Sequence, residues 1–572
     1  MKKRFTMTLL FFFASISMVL AQTVKVTGTV TSGDDGEPII GATILVKGTN
    51  IGTITDLDGN FSLDVPEKNK ILQISYVGMT MQEVAVKPHV TVVLQSDVKN
   101  LEEVVVTAMG LNREKKSLGY AIQEVKADEL TKAGSASLTS SLSGKVAGVQ
   151  INQFGGTVGA SSRISVRGNS SLAADQQPLI VVDGIPIAND TQRTGDNAYN
   201  GVDYGSGLND INPEDIESIS VLKGGSAALY GMRAGNGVIL ITTKSGKNGN
   251  GVSVSYDMNV TMDFAANLPK LQNSYGQGHD GDEYHWKNGS HANLSYQDYA
   301  TQYGFDYSKG VNTGYDESWG PRLDAGLKIS QYDSNGEYTD WVSRPNNVKD
   351  FFQTGVSMNH MVSVQAKGEN VTTRASLSYR DQKGTVPNTD QKKYSGQVNT
   401  DMKLNKYISF NLSASYTRTK SDNLIGQGYG SNNPINSLVA WTGRQINMQT
   451  LKDNWNQRDA NGDYTYYNWI AAYHMNPYFT ANVNTNSLQR DRIFGKSSLF
   501  YQPFDWLKFE GRIGMDYYNM QTFERHYFDR GDWPEGAFYQ QATKNTELNA
   551  DFLATVNKTF GDFNLSGVLG AN

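Results

Sequence analysis

Residues 211–247 read INPEDIESISVLKGGSAALYGMRAGNGVILITTKSGK, and the reading of this stretch decides the fold. Two β-type runs, Ile216 to Leu222 and Val238 to Thr243, flank a segment of small residues that includes Gly224, Gly225, Ser226, Ala227, Ala228, Gly231, Ala234, Gly235 and Gly237. Small residues let backbones pack closely, and the segment holds no reactive side chain, so it reads as a compact insert rather than a catalytic loop. Upstream, SVRGNSS at 165–171 supplies a turn, and PLIVVDGIPI at 178–187 supplies a strand broken by Asp183-Gly184.

Together these pieces resemble the plug domain of the SusC/RagA family of TonB-linked outer-membrane proteins. Four of them match in order: GKVAGVQI at 144–151, the Val166-Arg167-Gly168 turn, Pro178 to Pro186, and Asn212 to Lys244. The resemblance assigns Arg167, Gly168, Asp183, Gly184, Lys223, Tyr230, Gly231 and Gly237 to the plug motif. One departure is Gly224-Gly225, where the family usually carries Asp-Ala after the lysine.

The rest of the chain is read against that centre. Its 572 residues allow two to four domains. A net charge of -6, from 51 basic and 57 acidic residues, gives no basic footprint for nucleic acid. Charged residues are 19% and the mean hydropathy is -0.46, as expected of strands that are apolar on one face only. Cysteine is absent, which excludes a disulfide framework and thiolate metal sites.

Lys2, Lys3 and Arg4 precede an apolar run from Leu9 to Leu20, and Val19-Leu20-Ala21 places small side chains at the cleavage positions. Residues 1–21 are read as a signal peptide, because the run falls short of the roughly 20 residues a spanning helix needs. From 22 to 97, short alternating strands separated by turn residues predict a β-sandwich. Its segment PIIGATILVKGTNIGTITDLDG, 38–59, resembles the carboxypeptidase-regulatory-like domain found at the N-terminus of many family members. The TDLDG run at 55–59 lacks the remaining ligands of a calcium loop and is read as a hairpin turn.

Residues 98–113 hold NLEEVVVTAMG, a short β-branched run on a tether. Such a segment can add as an edge strand to another protein's sheet, or it is one more strand of the sandwich. It resembles the TonB box, with Glu103, Val104, Val105, Val106, Thr107 and Ala108 as its core. Residues 114–247 are then the plug, a mixed α/β globule with a helical stretch around Leu138 to Val146.

Beyond residue 250 the period changes to a sustained two. Val252, Val254, Tyr256, Met258, Val260, Met262 and Phe264 alternate with Ser253, Ser255, Asp257, Asn259, Thr261 and Asp263. The rule recurs at 408–417 and 507–517, where Lys508, Glu510, Arg512 and Asp516 form the polar face. Long strands, aromatics near strand ends and short turns alternating with long loops (about 265–353 and 421–485) predict the start of a transmembrane antiparallel barrel over 251–572, with charged residues lining a wet lumen. Roughly nine strands are legible, whereas plugged transporters of this class have about 22. The expectation is the N-terminal portion of a longer barrel, since bare strand edges in lipid cost several kcal/mol per unpaired group.

For chemistry the chain offers little. GHDGDEYH at 278–285 groups two imidazoles with three carboxylates but fixes no ligand geometry, and it is read as a polar loop. Asp459-Ala460-Asn461-Gly462-Asp463 opens like a calcium loop, but residue 470 is Ile where the bidentate acid belongs; no cofactor is expected, with calcium as the alternative here. In the loop 275–341, Tyr284, Trp286, Trp319 and Trp341 stand among Asn, Asp and Gly, as for stacking on sugar rings. Girdle and loop packing explains the same aromatics equally well. The SWGPRLD motif at 318–324 adds to the family resemblance. With no nucleophile triad or phosphate loop, an enzyme is the weakest class.

What the resemblance implies is TonB-dependent import across the outer membrane, of an oligosaccharide before a peptide. Its expected partners are TonB with its inner-membrane energising complex, a SusD-like lipoprotein and outer-membrane lipid, with no nucleic acid. A non-transporting surface adhesin and, further off, a siderophore receptor are the alternatives.

Overall fold

The computed structural model describes residues 23–572 except 34–35, 50, 67–70, 77–78, 96–103, 107–111, 115–121, 132–137, 154, 169–176, 195–200, 247–250, 280, 304–313, 471, 529–532 and 562. The expected signal peptide therefore lies outside the described residues. The chain divides into two compact units, an N-terminal one and one containing nearly everything from residue 119 onward.

The N-terminal unit is a sandwich of two sheets. One has the order Asn60–Pro66, Thr23–Ser32, His89–Leu94, and the other Gly52–Ile54, Thr43–Val46, Ile71–Ser75, Gln82–Ala85. Alternate residues turn inward, so Val26, Val30, Ile44, Val46, Val65, Leu72, Ile74, Val92 and Leu94 form one buried core. The Asp56 carboxylate accepts from the Asp58 and Asn60 amides at 3.0 and 2.8 Å, which makes this segment a tight turn; the expected hairpin is corrected, because the strands it joins, Gly52–Ile54 and Asn60–Pro66, pair in different sheets.

In the second unit, a five-stranded sheet forms the plug, in the order Gln123–Lys126, Ile216–Leu222, Val238–Thr243, Leu179–Val182, Ile185–Ile187. The quoted stretch supplies its second and third strands, paired antiparallel. The Asp183-Gly184 dipeptide takes φ of 49° and 89°, the two left-handed residues of a type I′ hairpin between the last two strands. The expected helix is shorter than the sequence suggests, Leu138–Leu142.

The small-residue insert is corrected in its physical role. Residues Gly224–Ala234 wind as 3-10 turns, and a Cβ on Gly224, Gly225 or Gly231 meets no backbone. Gly224 and Gly231 serve instead through φ of 64° and 68°, and Met232 is 98% exposed. Among these glycines Gly237 fits the close-packing expectation, since a Cβ there would stand 3.2 Å from Val166 and from the Leu222 carbonyl, and Ser226, Ala227 and Ala234 are buried as that expectation requires.

Nine strands build the large antiparallel sheet as a meander: β1 (Gly251–Asp263), β2 (Gly355–Lys367), β3 (Val371–Lys383), β4 (Asp390–Lys403), β5 (Ile408–Ser421), β6 (Asn486–Phe504), β7 (Leu507–His526), β8 (Ala537–Phe560) and β9 (Phe563–Ala571). All but β9 have 13 residues or more, above the roughly 9–11 needed to cross a bilayer. At one end the connections are tight, as between β2 and β3; at the other, 91 and 64 residues separate β1 from β2 and β5 from β6. The two long connections fold on each other around Val348, Phe351, Leu438, Leu451 and Trp469. Among the described residues no helix is long and apolar enough to cross a membrane.

Candidate functional site

The large sheet is inverted relative to a soluble one. Its outer face exposes Leu377, Ile493, Leu499, Ile513, Met515, Leu548 and Phe552, whereas its inner face buries Arg374, Thr417, Arg490, Arg492, Arg512, Asp516 and Glu524. Apolar groups meet water this extensively on a monomer only where hydrocarbon or a partner covers them. The inner face corrects one expectation: where the plug sits, the charged residues do not line a wet lumen but are sealed against it.

That seal is a set of hydrogen-bonded ion pairs between the plug and the strands. Plug residues Gly207–Asp210 and Pro213–Asp215 form two short 3-10 turns, the second started by Pro213 and capped by the Asn212 side chain. They aim Asp210 and Asp215 outward. Arg490 of β6 donates to Asp210 from Nε and Nη2, at 3.1 and 2.8 Å. Arg492, two residues on and therefore on the same face, donates to Asp210 at 3.2 Å and forks onto Asp516 of β7 at 2.8 and 2.7 Å. Its remaining N–H groups reach the Gly207 and Ala188 carbonyls at 3.0 and 2.8 Å, and Asp516 accepts from the Ala188 amide at 2.9 Å. A Cβ on Gly207 would stand 2.0 Å from the Ala188 carbonyl and 2.5 Å from Arg492 Nη1, so only glycine admits this approach.

Further attachments repeat the theme. Asp215 accepts from Arg374 Nη1 at 2.8 Å and Ser376 Oγ at 2.7 Å. Asp183, turned by its hairpin, accepts from Thr243 and from Ser413 of β5 at 2.8 Å. Glu524 accepts from Tyr204 at 3.0 Å and from Thr194, and Arg233 forks onto Glu547 at 2.6 and 3.2 Å. Phe494 of β6 inserts into the plug core with Ile180, Leu208 and Ile239. Burial raises the carboxyl of Glu214 above the usual range, with Arg380 opposing, and its Oε1 accepts from Asn359 at 2.7 Å. Buried ion pairs add little net stability over apolar contacts, but one deprived of its partner costs several kcal/mol, so they fix the plug's register.

The plug also grips the long loops. Gly201–Val202 pairs antiparallel with Gly426–Gln427, in the connection between β5 and β6. Beneath this ladder Val202, Tyr204, Leu424, Leu488, Tyr518 and Met520 form a small apolar cluster. In the same cap, His474 lies beside Trp441 and Trp469 and hydrogen-bonds Asp316 through Nε2 at 2.7 Å. Burial holds the imidazole's proton affinity below its ordinary value, with Asp316 pulling the other way.

Of the four aromatics singled out in the loop, two are open: Tyr284 and Trp319, 70% and 67% exposed. Trp286 packs on Tyr296 with ring centres 4.9 Å apart and donates to the Leu294 carbonyl. Trp341 is corrected outright. It is 1% exposed, sits among Ala300, Leu323, Leu327 and Ile329, and donates its indole N–H to the Pro321 carbonyl, so it cannot face a ligand. At 459–463 the Asp459 carboxylate accepts from the Asn461 and Asp463 amides, which turns it onto its own loop; among the described residues no group of three His, Cys, Asp or Glu side chains is arranged to hold a metal.

The plug-motif residues serve the backbone. Arg167 and Gly168 take φ of 61° and 91°, Gly237 takes 91°, and Lys223 donates to the Ala147 carbonyl while burial, with Arg167 nearby, lowers its proton affinity. Tyr230 is half-buried beside Gly231. Val104–Val106 forms a short strand, and Glu103, Thr107 and Ala108 lie outside the described residues. Sequence reasoning missed Asp210, Asp215, Arg374, Arg490, Arg492 and Glu524. The signal that could have found Arg490 and Arg492 is a pair of charges two apart on the polar face of a spanning strand.

Residues 114–238 match the TonB-dependent Receptor Plug Domain, and residues 26–106 the CarboxypepD_reg-like domain. The chain is 36% identical over 411 residues to the TonB-dependent receptor SusC of Bacteroides thetaiotaomicron, covering 72% of this chain and 35% of that protein. It is 29% identical over 560 residues to the TonB-dependent receptor P3 of Formosa agariphila, covering 96% of this chain and 48% of that one. Among solved structures, the RagAB peptide importer aligns in its closed-closed state with a TM-score of 0.60 at 22% identity, over 79% of this chain and 47% of that one. Its open-open state aligns with a TM-score of 0.61 at 21% identity, over 82% and 48%. At those identities the likeness concerns the fold alone. The chain spans less than half the length of each of these curated relatives.

Proposed function

The chain belongs with the SusC-type TonB-dependent receptors through its CarboxypepD_reg-like and plug domains, and from that premise we propose that the protein is an outer-membrane importer of an oligosaccharide, driven by TonB. The observation that carries the reading is the inverted sheet, greasy outside and charged inside, wrapped on a plug held by polar contacts that can be remade. A plug fixed by apolar packing alone would have no directional bonds to exchange for water as it moves.

In this reading residues 103–108 are the handle that TonB captures by strand addition, backed by its inner-membrane energising complex. Pulling it works against the Asp210–Arg490–Arg492–Asp516 contacts. Tyr284 and Trp319 offer aromatic faces to sugar rings at the outer surface, where a SusD-like lipoprotein serves as lid. Deleting residues 101–110 in cells carrying the protein is expected to abolish growth on the imported glycan while the protein still reaches the membrane in normal amount. Growth unchanged by that deletion sinks the importer and favours an adhesin.

A further inference from the structure

We infer that the cavity between the plug and strands β1, β3 and β4 seats a neutral, hydroxyl-rich ring, selected by Gln382, Gln391 and Thr157. The inference rests on the import reading and narrows its substrate class to uncharged glycans. The cavity measures about 400 Å³, within the range of small-molecule sites, and opens beside the plug loop at residues 155–160.

Each charged side chain among the described lining residues is engaged or faces solvent. Arg380 is attracted by Glu214 of the plug. Lys393 donates to the Asn209 carbonyl, one residue from Asp210. Asp263 is exposed at the end of β1. The Asn209 amide is committed as well, donating to the Gly159 and Ala160 carbonyls at 2.9 and 3.2 Å, which holds the loop against the turn that carries Asp210. An ionic ligand therefore meets no charge that lacks a counterpart.

The polar groups left to a ligand are neutral. Gln391 is 8% exposed and Gln382 is half-buried; both line the cavity, and neither amide hydrogen-bonds a described residue. Thr157 Oγ1, on the plug side, is buried with no partner. A buried polar group without a partner is costly, and an amide or a hydroxyl both donates and accepts, as a sugar hydroxyl does. Gly159 is what lets wall and plug share this space, because a Cβ there would collide with Gln391 Nε2. Val158 and Ile211 add an apolar wall for the C–H face of a ring.

The test is equilibrium binding to the full-length protein in detergent micelles. Maltohexaose, xylohexaose, mannohexaose and galactohexaose are the neutral probes, and hexagalacturonate and hexamannuronate the acidic ones. The expected result is that at least one neutral probe binds about tenfold or more tighter than either acid, whose carboxylates would be buried unpaired. Gln391→Leu, Gln382→Leu and Thr157→Val should each weaken that binding about tenfold, the loss of one buried hydrogen-bonding group, and Thr157→Ser should leave it unchanged. Melting temperatures should hold or rise in the two leucine variants, which lose no internal hydrogen bond, whereas a merely structural role would lower them. An acid bound as tightly as the best neutral probe, binding that survives all three substitutions because the recess holds only water, or no neutral probe bound overturns the inference. Energy-dependent uptake of any glycan that needs residues 101–110 would leave the import reading standing in each case.

Discussion

Replacing Arg492 by Met keeps most of the side-chain volume and removes five hydrogen bonds at once. Asp210 retains Arg490, at 2.8 and 3.1 Å, whereas Asp516 retains only the Ala188 amide at 2.9 Å. Both are buried, so an orphaned carboxylate has no water to recover. Removing one partner of a buried pair costs about 3–5 kcal/mol, and the surviving Arg490 contact places the cost near the lower bound, about 3 kcal/mol. The loss falls where the plug meets the wall, so it appears as local opening rather than global unfolding. At about 1.4 kcal/mol per factor of ten, hydrogen exchange at Ala188 and at Gly207 to Asp210 should quicken roughly 100-fold. Exchange near Asp215, held by Arg374 on β3, should stay unchanged. Adding Asp516→Asn should recover part of the protection, because the pair is then removed whole. An acceleration of less than about threefold, or one that spreads evenly across the plug, refutes the reasoning.

The cap is expected to lose stability in acid. Burial lowers the proton affinity of His474, so the folded cap binds fewer protons than the unfolded chain; stability is full above about pH 6.5 and falls as the pH drops below it. Tryptophan fluorescence melts should show this, and should show it weakened in His474→Gln; a midpoint that rises on acidification contradicts the sign. Trp341→Ala should destabilise the cap by about 3–5 kcal/mol in denaturant titrations, while Trp319→Ala should stay within about 0.5 kcal/mol yet weaken glycan binding. Gly184→Ala should cost the plug about 1–2 kcal/mol because its φ of 89° strains any side chain, read as faster proteolysis between residues 179 and 187.

What the sequence made legible was set by local rules. The alternation from Val252 to Phe264 predicts a strand and the structure has one at Gly251–Asp263, because a period of two needs nothing beyond neighbouring residues. The break in the strand at Asp183-Gly184 was equally visible, and the structure makes it a hairpin whose φ values suit such residues. Trp341 and Trp319 look alike as letters in one aromatic loop. What separates them is whether Leu327 and Ile329 fold across the ring, and loop sequence does not encode that in any short window. The ion pairs were invisible for a related reason: Asp210 meets Arg492 across 282 residues of chain. The polar face alone looked like a water-lined wall, and only the plug's carboxylates turn it into a seal.

The two-residue ladder between Gly201–Val202 and Gly426–Gln427 makes the plug apex and the outer loop a single thermodynamic object. A molecule settling on that loop from outside, and a protein tugging the plug from below, act on one shared equilibrium. Whatever free energy the first contributes toward one arrangement, the second must find changed by the same amount. Outside occupancy is thereby reported inward, and the force applied within is reported back to the surface.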